Sequence, residues 1–186
     1  MVKAPNNPET NLDVFLLKAI KGDESAFREL YNLYSGKMYS LCTRYAGNSA
    51  DADDIFQEGF IKVYKNLAAF KGLGSFEGWV RKIFVHTCLD FIRRKKNAKN
   101  ITELDDKTEI PVYSENDGSV KLSMDELHAI IQEMPTGYRT IINLYLVEGY
   151  SHKEIGDMLQ ISEGTSKSQL SRAKLKLQEV MQKYHV

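Results

Sequence analysis

The sequence predicts an all-α protein of two small helical domains joined by a flexible linker, the C-terminal domain being a helix-turn-helix. Three observations predict it. Apolar residues recur at spacings of three and four through successive segments of the chain. Residues 98–122, AKNITELDDKTEIPVYSENDGSVKL, have no sustained period and carry an acidic excess, so they read as an extended linker between residues 1–97 and 123–186. The stretch Glu148–Ala173 contains two helix starts separated by a short break.

In chain order, Leu12–Ile20 reads as a first helix, ended by Lys21-Gly22, with Asp23 capping the next. Ala26–Tyr45 carries Phe27, Leu30, Tyr31, Tyr34, Met38, Leu41 and Cys42 at threes and fours, an amphipathic core helix whose aromatic stripe is packing rather than a ligand box. Gly47–Ala52 is a break, and Asp53–Phe70 a third helix. At about 100° per residue, Ile55, Phe56, Phe60, Val63, Tyr64 and Leu67 share its inner side. Asp54, Gln57, Glu58 and Ile61 gather on the outer side. An outward isoleucine among carboxylates and an amide suits a protein partner, and it equally suits a solvated acidic face with one stray apolar residue.

Lys71–Ser75 is a flexible connection to a fourth helix, Phe76–Lys96, with Trp79, Val80, Ile83, Phe84, Thr87 and Phe91 on its apolar side. Arg81, Lys82, Arg93, Arg94, Lys95 and Lys96 surround Asp90. Cations and aromatics together suit single-stranded nucleic acid, where bases stack on rings and cations follow the backbone. For the terminal RRKK by itself, a basic helix end complementing the macrodipole is the simpler account. Beyond the linker, Met124–Met134 is a helix with Leu127, Ile130, Ile131 and Met134 inward. Pro135-Thr136-Gly137 punctuates the chain, and Tyr138–Val147 is a further helix carrying Ile141, Ile142, Leu144 and Tyr145.

Ser151 and Glu154 then form a capping box that starts a short helix with Ile155 and Leu159 buried. After Gln160-Ile161, Ser162 caps a second helix whose buried stripe is Ser166, Leu170, Ala173 and Leu177. Opposite lie Thr165, Ser168, Ser171 and Arg172, with Lys167 and Gln169 on the flanks. Hydroxyls, an amide and cations are the groups that hydrogen-bond phosphates and base edges in a major groove. The same periodicity accommodates an ordinary antiparallel helix pair with a solvated face.

At 186 residues and 42% hydrophobic content, the chain can bury one or two cores. The N-terminus has no apolar signal core and no run approaches the roughly 18 apolar residues of a membrane span, so a cytoplasmic protein is expected. Cys42 and Cys88 form no CxxC pair and the four histidines are scattered, so no catalytic centre, metal or cofactor is expected. Charge is unevenly spread. Residues 1–97 hold 15 Lys and Arg against 11 Asp and Glu, a net of +4. Residues 98–122 hold 3 against 6, net −3, and residues 123–186 hold 7 against 8, net −1. A domain that held DNA unaided would ordinarily be basic, so something else supplies affinity for this helix-turn-helix.

From about Asp23 onward the chain resembles the extracytoplasmic-function (ECF) sigma factors of bacterial RNA polymerase. The matching residues are Phe27 with Leu30-Tyr31 and Tyr34; Asp51-Ala52-Asp53-Asp54 leading to Gln57-Glu58 and Phe60; and Phe76 and Trp79 through Asp90 to Arg93-Arg94. In the C-terminal part they are Pro135 with Tyr138-Arg139, Glu148-Gly149-Tyr150-Ser151, Glu154-Ile155, Ile161-Ser162, Gly164-Thr165, Lys167-Ser168, and Leu170 with Arg172-Ala173. The resemblance implies a non-enzymatic subunit that binds core RNA polymerase, directs it to promoters and helps melt them, and that is held in check by an anti-sigma factor.

It implies that Asp54, Gln57, Glu58 and Ile61 dock on the polymerase clamp. Lys71, Ser75, Phe76, Trp79, Arg81, Lys82, His86, Arg93 and Arg94 would serve recognition and melting of the −10 element. Ser162, Thr165, Lys167, Ser168, Gln169, Ser171 and Arg172 would serve duplex recognition at −35. Three residues depart from the family pattern: His86 stands where Asn is common, Ser166 replaces a small aliphatic residue, and Gln169 replaces a frequent Arg. An inward Ser166 hydroxyl needs a partner or costs about 1–3 kcal/mol. The alternatives are a self-sufficient helix-turn-helix regulator with an N-terminal sensor or dimerisation domain, and an all-helical adaptor that binds only proteins.

Overall fold

Asp23 shows how tightly the helix ends are specified. The first helix, α1 (Pro8–Ile20), closes on Gly22 at φ +91°, where the Gly22 N–H bonds Ala19 O at 3.0 Å and the Asp23 N–H bonds Lys18 O at 3.1 Å. This is a Schellman closure, which satisfies the last carbonyls and needs a residue free to adopt a left-handed backbone. The Asp23 carboxylate then accepts from the Ser25 and Ala26 N–H groups at 2.9 and 3.1 Å and so starts α2 (Glu24–Tyr45). The structure, a computed structural model, describes residues 8–99 and 124–184. Within these, the side chains of residues 8–11, 99, 124, 125, 127, 128 and 182–184 are left undescribed, so the expected inward Leu127 lies outside the description, as does nearly all of the expected 98–122 linker.

The third helix, α3, spans Ser49–Asn66, starting earlier than the apolar pattern alone indicates. The reason is Asn48, whose side chain accepts the Asp51 N–H at 2.8 Å and draws the polar Ser49–Ala52 segment into the helix. A single 3₁₀ turn, Leu67–Ala69, follows, and then α4 (Phe76–Lys99). The chain divides into two compact units with the break between Ile92 and Arg93, inside α4.

In the first unit Leu30, Tyr34, Met38, Leu41 and Cys42 of α2, Ile55 and Val63 of α3, and Val80, Phe84, Val85 and Cys88 of α4 are all buried. The core is strongly aromatic: Phe84 packs on Phe60 and Phe56 at 5.1 and 6.2 Å between centroids, and Tyr31 on Phe60 at 4.5 Å. Gly59 allows this, because a methyl group there would fall 2.5 Å from Phe84 Cε1. Tyr64, expected inward, is instead half exposed, with its ring edge against Phe27 at 4.8 Å.

The second unit contains α5 (Met124–Glu133), α6 (Thr136–Ile142), a π-helical turn (Asn143–Val147), α7 (His152–Leu159) and α8 (Glu163–Tyr184). Pro135 is the N-cap of α6, so Thr136 and Gly137 lie within the helix rather than before it. Arg139 is buried and donates through Nη1 to Gln132 O at 2.8 Å, holding the end of α5 against α6. Ile130, Ile131, Met134, Ile141, Ile142, Leu144, Ile155, Leu170 and Ala173 form the core. No strand occurs among the described residues, and none of their helices is long and apolar enough to cross a membrane.

Candidate nucleic-acid and partner interfaces

Three surfaces bring the sequence-predicted residues together. The first is the outer face of α3. Asp54 and Gln57 are exposed, Ile61 is 53% exposed, and half-buried Glu58 receives Lys62 Nζ at 3.0 Å. Residues 54, 57, 58 and 61 stand at helical neighbour spacings, so they form one ridge with an apolar tip and acidic flanks. Half-exposed Tyr64 extends this ridge by one turn; its place on the border of the apolar stripe hid it from the sequence pattern.

The second surface lies on α4 and the neighbouring turn of α3. An open groove of about 350 Å³ is lined by Lys62, Asn66, Trp79, Lys82, Ile83, His86, Thr87 and Asp90. Lys62 Nζ bridges Glu58 and Asp90, at 3.0 and 3.3 Å. Trp79 stacks on Phe76 at 5.6 Å and lies against Phe70 at 5.5 Å, which fixes the indole at the groove wall. Lys82 and His86 are exposed on the same helix, one turn apart. Lys62 and Asn66 were invisible as groove residues in the sequence, because only packing places α3 beside α4.

Lys71 is exposed in the connection before α4, and Ser75 Oγ accepts the Gly78 N–H at 3.1 Å as the helix cap. The Lys37–Glu77 ion pair, at 2.7 Å, holds the first turn of α4 to α2. Arg81 is half-buried, while Arg93 and Arg94 are exposed at the far end of the helix. Phe76 corrects an expectation. Placed by sequence among the strand-binding residues, it is only 5% exposed, wedged against Tyr34, Phe70 and Trp79. A ring packed on three others has no free face for a base, so Phe76 supports Trp79.

The third surface is the first half of α8. As the sequence predicts, the capping box of α7 is complete: Ser151 N–H and Oγ–H donate to Glu154 Oε2 at 2.8 and 2.7 Å, and the Glu154 N–H donates to Ser151 Oγ at 3.3 Å. The turn between the helices uses Gln160 in the left-handed region, at φ 57°. It runs so close to α7 that Ile161 O lies 2.8 Å from where a Cβ on Gly156 would be. Ser162 Oγ accepts the Thr165 N–H at 3.0 Å and lies 2.8 Å from Thr165 Oγ1.

Thr165, Lys167, Ser168 and Ser171 are exposed and Arg172 is half-buried. Lys167 pairs with Glu163 at 2.7 Å, and this hydrogen bond lowers the Glu163 carboxyl below its ordinary value. Gln169 is a second correction: expected on a solvent-facing flank, it is 8% exposed. It sits only about 60° around the helix from Ser166, and α8 packs on α5, α6 and α7, so its contact surface is wider than one stripe. No group of three His, Cys, Asp or Glu side chains among the described residues is arranged to hold a metal ion.

A family model for Sigma-70 region 2 matches residues 30–98, and one for Sigma-70 region 4 matches residues 124–177. The ECF RNA polymerase sigma factor SigW of Bacillus subtilis is 33% identical over 164 residues, which cover 83% of this chain and 88% of the relative. The chain belongs to the ECF sigma factors. The ECF sigma-E factor of Salmonella typhimurium is 30% identical, covering 87% of this chain and 89% of its own. The SigE factor of Mycolicibacterium smegmatis is 28% identical over 97% of this chain and 71% of its own.

Two solved structures share the fold. The sigma factor RpoE of Bartonella quintana, in complex with the anti-sigma factor NepR, matches with a TM-score of 0.53 at 18% identity, over 84% of this chain and 96% of the other. CnrH, in complex with the cytosolic domain of CnrY, matches with a TM-score of 0.51 at 20% identity, over 91% and 96%. As an ECF sigma factor the protein directs promoter-specific transcription by RNA polymerase and is not itself an enzyme.

Proposed function

We propose that residues 1–97 dock on core polymerase and hold the melted −10 strand, and that residues 123–186 read the −35 duplex. Docking uses Asp54, Gln57, Glu58 and Ile61, with Tyr64 at its edge. The melted strand runs over Lys71, Trp79, Arg81, Lys82 and His86, with a base entering the groove lined by Lys62 and Asn66 and the backbone continuing toward Arg93 and Arg94. Thr165, Lys167, Ser168, Ser171 and Arg172 face the −35 major groove, with Ser162 supporting Thr165 and Gln169 supporting the helix from its packed edge.

The observation that carries this reading is the division of chemistry between the two DNA faces. The α4 groove pairs a fixed indole with cations, as single strands require, whereas the α8 face offers hydroxyls and cations without an exposed ring, as a duplex groove requires. Run-off transcription with core polymerase on duplex and pre-melted promoters tests it. Arg81→Ala with Lys82→Ala is expected to weaken opening and to be rescued, at least in part, by a pre-melted bubble. Arg172→Ala is expected to relax −35 preference by about 1–3 kcal/mol and to gain nothing from the bubble. Equal rescue of both variants, or of neither, refutes the division.

We also infer a cytoplasmic location, where polymerase and promoters are found, and an anti-sigma partner that covers these faces. The complex of a sigma factor of like fold, RpoE, with the anti-sigma factor NepR supports it. Recovery from the native cell of polymerase but never of a stoichiometric inhibitor counts against the partner.

A further inference from the structure

Ser166 is wholly buried in the first turns of α8, beside exposed Thr165 and Lys167. Its Oγ lies 3.0 Å from His152 Nδ1. His152 is the first residue of α7, and its ring is stacked on Tyr145 of the π-helical turn, with centroids 4.5 Å apart and planes at 19°. One imidazole therefore touches three elements. Its face is held by Tyr145, its backbone by α7, and its Nδ1 meets the only polar side-chain atom that Ser166 has.

The bond has a consequence for geometry. Ser166 and Ser168 are two residues apart, so the same rotation of α8 that makes or breaks the bond re-aims the exposed hydroxyls and Lys167. The capping box fixes the start of α7 at Ser151, immediately before His152, and the Gly156–Ile161 approach fixes its end. Burial of Leu170 and Ala173 turns α8 toward the core, and the bond at its N-terminal turns refines the roll there. A small apolar pair at 152 and 166 could fill the same space without direction, whereas a hydrogen bond is directional and tolerates little misalignment.

We propose that His152 is a positioning residue for promoter selection: through its Nδ1 bond to Ser166 it sets the roll of the recognition helix, and with it the −35 preference. This rests on the assignment of α8 to the −35 element. Two variants separate the bond from the stack. His152→Asn retains an amide able to reach Ser166 but removes the ring on Tyr145; His152→Phe keeps the ring and removes the bond.

The test is run-off transcription by reconstituted holoenzyme on promoters differing only at −35, read as the ratio of output from the preferred to a scrambled element, beside helical content and thermal melting of each variant. His152→Phe is expected to lower the ratio at least about fivefold, because a hydrogen bond worth about that factor no longer holds α8 at the roll that fits the preferred element. His152→Asn is expected to stay within about twofold of the parent, because its amide can hydrogen-bond the same Ser166 hydroxyl. Ser166→Ala added to His152→Phe is expected to regain thermal stability, since the orphaned hydroxyl is gone, but to leave the ratio as low as in His152→Phe, since an apolar pair has no directional bond to set the roll.

A ratio unchanged in folded His152→Phe, a greater loss in His152→Asn than in His152→Phe, or recovery of the ratio in the double variant overturns the proposal. Should His152→Phe not fold, the Asn variant and Ser166→Ala alone carry the test, the first keeping and the second losing the ratio; the reverse overturns it. Arg172→Ala serves as the reference. Its failure to change the ratio overturns the −35 assignment and this proposal together, while a change there with none in His152→Phe overturns this proposal alone.

Discussion

Alanine at Gly59 sets two effects against each other. In a helix interior the exchange gains up to about 1 kcal/mol from backbone entropy and solvation. The added methyl, however, falls 2.5, 2.7 and 2.8 Å from three ring carbons of Phe84, where carbon pairs rest at about 3.5–4.0 Å. Phe84 is fully buried between Phe56 and Phe60 and cannot swing into solvent, and overpacking of this kind costs about 1–3 kcal/mol. Gly36 in α2 is the internal control, because nothing lies within 4 Å of a methyl there.

Gly36→Ala is therefore expected to raise the melting temperature, and Gly59→Ala to fall below it by about 1–3 kcal/mol, which is several degrees for a domain of this size. Thermal unfolding followed by circular dichroism measures both. Adding Phe84→Leu to Gly59→Ala is expected to cost less than Phe84→Leu alone, because the smaller side chain makes room for the methyl. Equal stabilisation by the two Gly→Ala exchanges would refute the close fit of Gly59 to Phe84.

Asp54→Lys with Ile61→Ala is expected to abolish co-purification with core polymerase while leaving melting nearly unchanged, since exposed charges contribute little to folding; normal association of the folded variant removes the docking assignment. Ser151→Ala breaks the capping box of α7 and is expected to lower stability by about 0.5–2 kcal/mol in a denaturant titration, more than Ser171→Ala on the exposed face of α8. Asp23 titrates below its ordinary value of 3.8, chiefly through the Ser25 side-chain hydrogen bond and then the Ala26 N–H. A depressed carboxylate stabilises above its unfolded value and loses that contribution as pH falls through the folded one. Acid unfolding below about pH 4 is therefore expected to be shallower in Asp23→Asn, which keeps the cap without the titration, and an identical acid limb would contradict this.

What the sequence by itself determined is local. The Gly22 stop, the Asp23 cap, the Ser151–Glu154 capping box and the Ser162 start each involve atoms within five residues of one another, so composition and spacing suffice to place them. The outward ridge of α3 was legible for the same reason, since a helix turns by a known angle per residue. The tertiary structure alone decided what lay beside each face. It brought Lys62 and Asn66 of α3 to the groove of α4, turned Phe76 into the aromatic core, and covered Gln169 by the packing around α8. It also supplied the buried Ser166 hydroxyl with its partner His152, fourteen residues away. Periodicity states which residues of a helix are neighbours but carries no information on the size, chemistry or distance of the surface that meets them. Those depend on side chains remote in sequence, and only close packing brings them together.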